Sequence, residues 1–214
     1  MLAFFFCFFF FLSRSRALEV RRTGKAIVGV RYEEGVVLGG EDFVEGPLES
    51  GDDDEAAVFE PLGGKAWACG YGLAADTKEV CRQVRLDVEA SRLAEERCCG
   101  ASTERKPVAA MARRRNAPET TFLVFDGESL VRLEGKVIIA DAPFAVAGED
   151  ADATALFGAF GDHGRGAAID AVILALKAAI ENDASASSDP RIHLLVLSRD
   201  KDEAVQLFRR LPHQ

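Results

Sequence analysis

The sequence predicts an α+β chain, a four-layer α/β/β/α sandwich of two antiparallel sheets with helices on the outer faces. Three observations lead there. Strand-like apolar runs come in groups, in the order strands, two helices, strands, two helices, strands, so a parallel βαβ sheet is excluded. Within the groups the runs are joined by tight turns such as Glu33-Glu34-Gly35, Asp126-Gly127 and Glu134-Gly135, as antiparallel neighbours require. The helical segments carry one apolar face each, and two sheets between two helix layers satisfy every such face.

The elements follow from local pattern. Ala26–Val30 and Val36–Gly40 form a hairpin around Glu33-Glu34-Gly35. Residues 41–55 are acidic and contain Gly and Pro, ending in Gly51-Asp52-Asp53-Asp54-Glu55, and read as a solvated loop. Val58–Glu60 and Lys65–Gly70 are short strands divided by the turn signal Pro61-Leu62-Gly63-Gly64. A helix is predicted over Asp76–Glu96, where Val80, Val84, Val88 and then Leu93 give one apolar face. Asp76 suits its N-cap, because a carboxylate accepts from the first free N–H groups; Gly100 is its stop. Pro107–Arg115 is a shorter helix whose basic tail, Arg113-Arg114-Arg115, reads as a solvated helix end. Thr121–Phe125, Ser129–Leu133 and Lys136–Ala140 read as strands, and Ala151–Phe160 and Ala167–Asn182 as helices. The latter aligns Ile169, Val172, Ile173, Leu176 and Ile180 in one stripe. Ile192–Leu197 is a strongly apolar strand and Ala204–Arg209 the last one.

With 214 residues the chain makes one domain, or two small ones at most, and is long enough to bury a core without staples. Its net charge of −9 argues against nucleic acid and anionic membranes as partners. Five cysteines, Cys7, Cys69, Cys81, Cys98 and Cys99, and the scattered His163, His193 and His213 show no metal-ligand spacing. The cysteines read as reduced thiols, and neither a metal nor a cofactor is expected. Leu2–Leu12 is a phenylalanine-rich run followed by Ser13-Arg14-Ser15-Arg16. It is shorter than the about 20 residues a bilayer needs, and its basic charge follows the apolar run, whereas a secretory signal places it before. A removable pro-segment, a cryptic signal and an unreliable start remain alternatives, so residues 1–22 are set outside the fold and 23–214 form the domain.

Several segments, in order, resemble the beta-type subunits of the proteasome, a family of N-terminal-nucleophile threonine peptidases. They are the opening hairpin with its Gly35-Val36-Val37-Leu38-Gly39 cadence and Cys69-Gly70-Tyr71-Gly72-Leu73-Ala74-Ala75-Asp76-Thr77 before the first helix. Phe144-Ala145-Val146-Ala147-Gly148 resembles a further strand of that family, Glu181–Ser188 the loop after its fourth helix, and Arg191–Leu197 the strand that follows, closest to the caspase-like beta class. The resemblance spans about residues 23–209. It implies the sandwich fold, alpha and beta subunits as ring partners, protein degradation as the process, and the cytoplasm and nucleus as location.

The same resemblance implies a degenerate site. The family's nucleophile is a threonine freed by cleavage after a glycine, with its own α-amine as base, a lysine lowering the relevant pKa and an aspartate orienting that lysine. Here Gly24 is followed by Lys25, whose protonated ammonium is not an acyl-transfer nucleophile. The orienting aspartate falls on Glu41, the lysine on Ala56 or Ala57, and Lys65 belongs to the next strand. Small hydroxyls expected after Gly148 are replaced by Glu149 and Asp150; Asp183 matches the family, while the serine beyond it falls on Ala186, between Ser185 and Ser187. Thr23 is displaced along the strand by about 6.6 Å, too far to substitute. The expectation is a silent subunit with a vestigial site of Lys25, Glu41 and Asp183, in which Lys25 pairs with Glu41. An active threonine endopeptidase and a diverged, non-assembling binding module are the alternatives.

Overall fold

The computed structural model describes residues 26–42, 58–98, 106–114, 120–135, 137–148, 164–181, 191–199 and 204–210. Its elements are β1 (Ala26–Tyr32), β2 (Gly35–Asp42), β3 (Phe59–Gly63), β4 (Ala66–Tyr71), α1 (Ala74–Cys98), α2 (Lys106–Arg114), β5 (Thr121–Phe125), β6 (Leu130–Glu134), β7 (Val137–Ile139), β8 (Phe144–Gly148), α3 (Arg165–Glu181), β9 (Arg191–Ser198) and β10 (Ala204–Arg210). One sheet has the order β10-β9-β2-β1-β8 and the other β3-β4-β5-β6-β7. Every described pairing is antiparallel.

Three apolar layers hold the four structural layers together. Between α3 and the first sheet, Val172, Leu176 and Ile180 meet Val28, Val37 and Leu194. Between the sheets, Ile27, Leu38 and Leu195 meet Leu123, Phe125 and Leu130. On the second sheet's outer face, Cys81, Val84 and Met111 of α1 and α2 meet Leu62, Phe122 and Leu133. Side chains alternate across a strand, so β5 sends Phe122 and Val124 to the helices and Leu123 and Phe125 to the other sheet. That explains its run of consecutive apolar residues: both faces are covered. Each such buried side chain contributes about 1.5–3 kcal/mol through removal from water.

The expected architecture is the observed one, with local corrections. Pro61 and Gly63 belong to β3, and the turn sits at Gly64 and Lys65. Proline is tolerated there because β3 is an edge strand, where an N–H is dispensable, and the ladder shifts register between Pro61 and Gly63. α1 begins at Ala74, with the Thr77 N–H bonded to Leu73 O at 2.9 Å, so Asp76 lies in the first turn and is not the cap. Its carboxylate still favours the positive end of the helix dipole there. Leu93 is exposed, because the face that buries Val84 rotates away from the sheet over the following turns. The loop between β5 and β6 spans four residues, with Asp126 Oδ1 accepting from the N–H groups of Glu128 and Ser129 at 3.0 and 2.8 Å. The helix expected over Ala151–Phe160 lies outside the described residues.

Candidate functional site

The sandwich has two ends. Ladder register places Ala147, Ile27, Gly40, His193 and Phe208 in one row across the first sheet. Ala26 beyond it pairs with Gly148, and Asp42 with Arg191. This strand-start end therefore gathers chain positions far apart in sequence: the start of β1, which Lys25 precedes, the end of β2 with Glu41, and the end of β8. Tyr71, Thr121 and Glu134 share a row at the corresponding end of the second sheet.

Glu41 is a buried carboxylate. It pairs with Ile192, a member of the layer under α3, so it stands on the helix-facing side of its sheet. Ile27, two residues after Lys25, belongs to the layer between the sheets. The rows through Ile27 and Glu41 thus face opposite layers. Lys25, Asp183, Thr23, Ala56, Ala57, Glu149, Asp150 and Ser185–Ser187 lie outside the described residues. Lys65 does not reach this end: its Nζ donates to Arg199 O at 2.8 Å, beside the β1–β2 turn.

Buried polarity is unevenly placed. Among the described residues the buried polar or charged side chains are Glu41, Thr77, Thr120 and Thr121. All four lie toward the strand-start end, yet in different layers. Thr121 shares the face of Leu123 and Phe125 between the sheets, while Thr77 sits in the first turn of α1 against Gly70. Thr77 Oγ1 donates to Ala74 O at 3.0 Å. Burying such groups costs free energy unless they are bonded; at the opposite end the buried Tyr32 meets that cost by donating to Leu197 O at 3.1 Å.

His193, one of three histidines scattered along the sequence, stands at the same end of the first sheet, half-buried. Its signal is positional: it alternates with Ile192 and Leu194 and so stands on the inter-sheet face, in the row of Ile27. Cys69 is a buried free thiol between the sheets, near Gly40, and burial pushes its pKa well up. Cys81 lies beneath α1, its thiol pushed up to about 12 chiefly by burial. Neither has the thiolate character a nucleophile needs. No group of three or more potential metal ligands occurs among the described residues, and none of the described helices is long and apolar enough to cross a membrane.

The family model described as Proteasome subunit matches residues 21–195. This chain belongs to the proteasome subunit family. No curated protein matches the sequence significantly. For a proteasome subunit, membership implies assembly with other proteasome subunits. The matched range of this subunit starts upstream of Lys25 and ends within β9, so it covers β1, β2 and β8, which converge at the strand-start end.

Proposed function

We propose that this chain is a beta-type subunit of the 20S proteasome core, of the N-terminal-nucleophile hydrolase class, that has no peptidase chemistry of its own and serves as a structural member of the ring. The observation that carries this reading is Lys25 at the head of β1, where the family resemblance calls for a threonine. Lys65 supports it, being engaged at the far end of the sandwich by Arg199 O. Alanines at 56 and 57 supply no ammonium in its place. Losses within one cooperative site compound, so the missing groups leave little for the remaining ones to do.

In this reading Lys25, Glu41 and Asp183 are the vestige of the site, residues 1–22 are an extension that the chain cannot remove by itself, and residues 23–214 are the domain. A Lys25–Glu41 ion pair belongs to the reading only if the alternation of β1 breaks before Ala26, since Ile27 and Glu41 face opposite layers. Partners are alpha and beta subunits, the process is proteasomal protein degradation, and the location is the cytoplasm and nucleus.

The test is the mature N-terminus, read by mass spectrometry from assembled core particles treated with an epoxyketone. A terminus upstream of Lys25 with no adduct is expected. A Thr23 terminus carrying an adduct would overturn silence. Migration of the chain as a free monomer, away from core particles, would overturn the structural role.

A further inference from the structure

Six large apolar side chains are exposed among the described residues, and three of them are consecutive. They are Val137, Ile138 and Ile139, 56%, 51% and 44% exposed, and they make up the whole of β7. The cause is an overhang. β7 ends the second sheet, and β8, which ends the first sheet on the same side, packs over β5 and β6. On the other face, α1 and α2 cover the sheet from β3 to β6. Both covers stop short of β7. Alternation sends Val137 and Ile139 to the face of Leu123 and Ile138 to the face of Leu133, so apolar surface is open on both faces of one strand.

The occupant must suit a strip three residues long. So short a ladder buries far less than the about 1,200 Å² that a stable complex between separate chains needs, which argues against a second copy pairing β7 to β7. A tethered segment escapes that requirement, because its effective concentration reaches the millimolar range. The chain carries one. Leu2–Leu12 is an uncharged, phenylalanine-rich run without Pro or Gly, a composition that favours extended backbone. It is tethered to Ala26, which pairs with Gly148 at the end of β8. Val137 pairs with Glu134, in the row of Thr121 and Tyr71 at the same strand-start end. Two strand spacings and one sheet spacing separate the points, about 15 Å, and residues 13–25 reach about 40 Å when extended. Charge agrees: the exposed Glu134 and Asp141 flank β7, and Arg14 and Arg16 follow the run. The tether also sets direction, since the run enters from the end at which β7 begins.

We propose that residues 2–12 lie along β7, antiparallel to it, with apolar side chains over Val137, Ile138 and Ile139 and with Arg14 and Arg16 beside Glu134. The inference requires that the extension is retained, not that the subunit is silent or beta-type. Cys7, in the middle of the run, makes it testable in the full-length chain. Ile138→Cys, at an exposed position, is combined with Cys98→Ser and Cys99→Ser and treated in dilute solution with a short bismaleimide; Cys69 and Cys81 are buried. A cross-link between Cys7 and position 138 of one chain is expected, located by mass spectrometry and abolished by Cys7→Ser. Leu86→Cys in the same background, exposed on α1, should cross-link to Cys7 at least about tenfold less. Independently of any cysteine, deleting residues 2–12 should speed amide exchange of Val137–Ile139 at least about tenfold. A cross-link formed only between chains would assign β7 to a second copy or a ring neighbour. That result, equal cross-linking at position 86, or exchange of β7 unchanged by the deletion would each overturn the proposal.

Discussion

The two ends of the sandwich are built on different rules. At the turn end, polar groups are fastened to partners across the layers. Tyr32 donates to Leu197 O at 3.1 Å, Arg199 N–H to Glu34 O at 2.7 Å, and Lys65 Nζ to Arg199 O. Arg31 pairs with Asp141, an exposed residue held at a φ of 57°, in the connection between β7 and β8. At the strand-start end Glu41, Thr77, Thr120 and Thr121 are buried, and Thr77 Oγ1 donates to Ala74 O at 3.0 Å within its own helix turn. The turn end, tied across β1, β2, β9 and the connection between β7 and β8, acts as a clamp.

Backbone packing gives the largest contrast. A methyl group at Gly35 would overlap the Leu197 carbonyl, a backbone atom that cannot move without parting β2 from β9. A methyl at Gly40, near the other end, would press on the Val58 side chain at the start of the edge strand, which can yield. Gly35→Ala should therefore cost about 3 kcal/mol or more and Gly40→Ala about 1 kcal/mol, read from urea unfolding midpoints. Equal costs would remove the distinction between a clamped end and an adaptable one.

Chemistry at the strand-start end gives the next contrast. Restoring the threonine with Lys25→Thr should not yield an epoxyketone adduct or peptide hydrolysis, even in assembled particles, because Ala56 and Ala57 provide no ammonium. An adduct on residue 25 would mean that another cation completes the site. At the turn end, the Arg31–Asp141 pair is partly exposed, so a double-mutant cycle to alanine should return under about 1 kcal/mol of coupling. A larger value would make that pair, and not the backbone, the clamp.

The smallest effect concerns the outer helices. Arg114 depresses the pKa of Asp87, so the folded value lies below the unfolded one. The stabilisation is then present above the ordinary aspartate pKa of about 4 and is lost as pH falls through the depressed value. The difference in urea midpoint between wild type and Asp87→Asn should be small at pH 6 and vanish in stronger acid. A difference that grows on acidification would reverse the sign of the linkage.

Much of this was legible in the chain itself. The grouping of strands, the turn residues and the helical stripe Val172–Leu176–Ile180 carried the fold, because each rests on local periodicity. Lys25 after Gly24 and the alanines at 56 and 57 are facts of residue type alone, at positions outside the described residues. Other features were not legible. Pro61 within β3 depended on that strand being an edge, and the exposure of Leu93 on where the sheet beneath α1 stops supporting it. The placement of His193 beside Gly40 and Ile27 depended on ladder register between strands more than 150 residues apart in sequence.

By itself, then, the sequence determined the layer architecture, the acidic surface and the lack of a threonine at the head of β1, all properties of residue type and short-range pattern. Tertiary structure alone decided which end of the sandwich is clamped, that Lys65 bonds at the turn end, and that Glu41 faces α3 while Ile27 faces the other sheet. The physical reason is the same in each case. A side chain's face and its partners are set by pairing between distant strands, and a one-residue change of register would exchange them all.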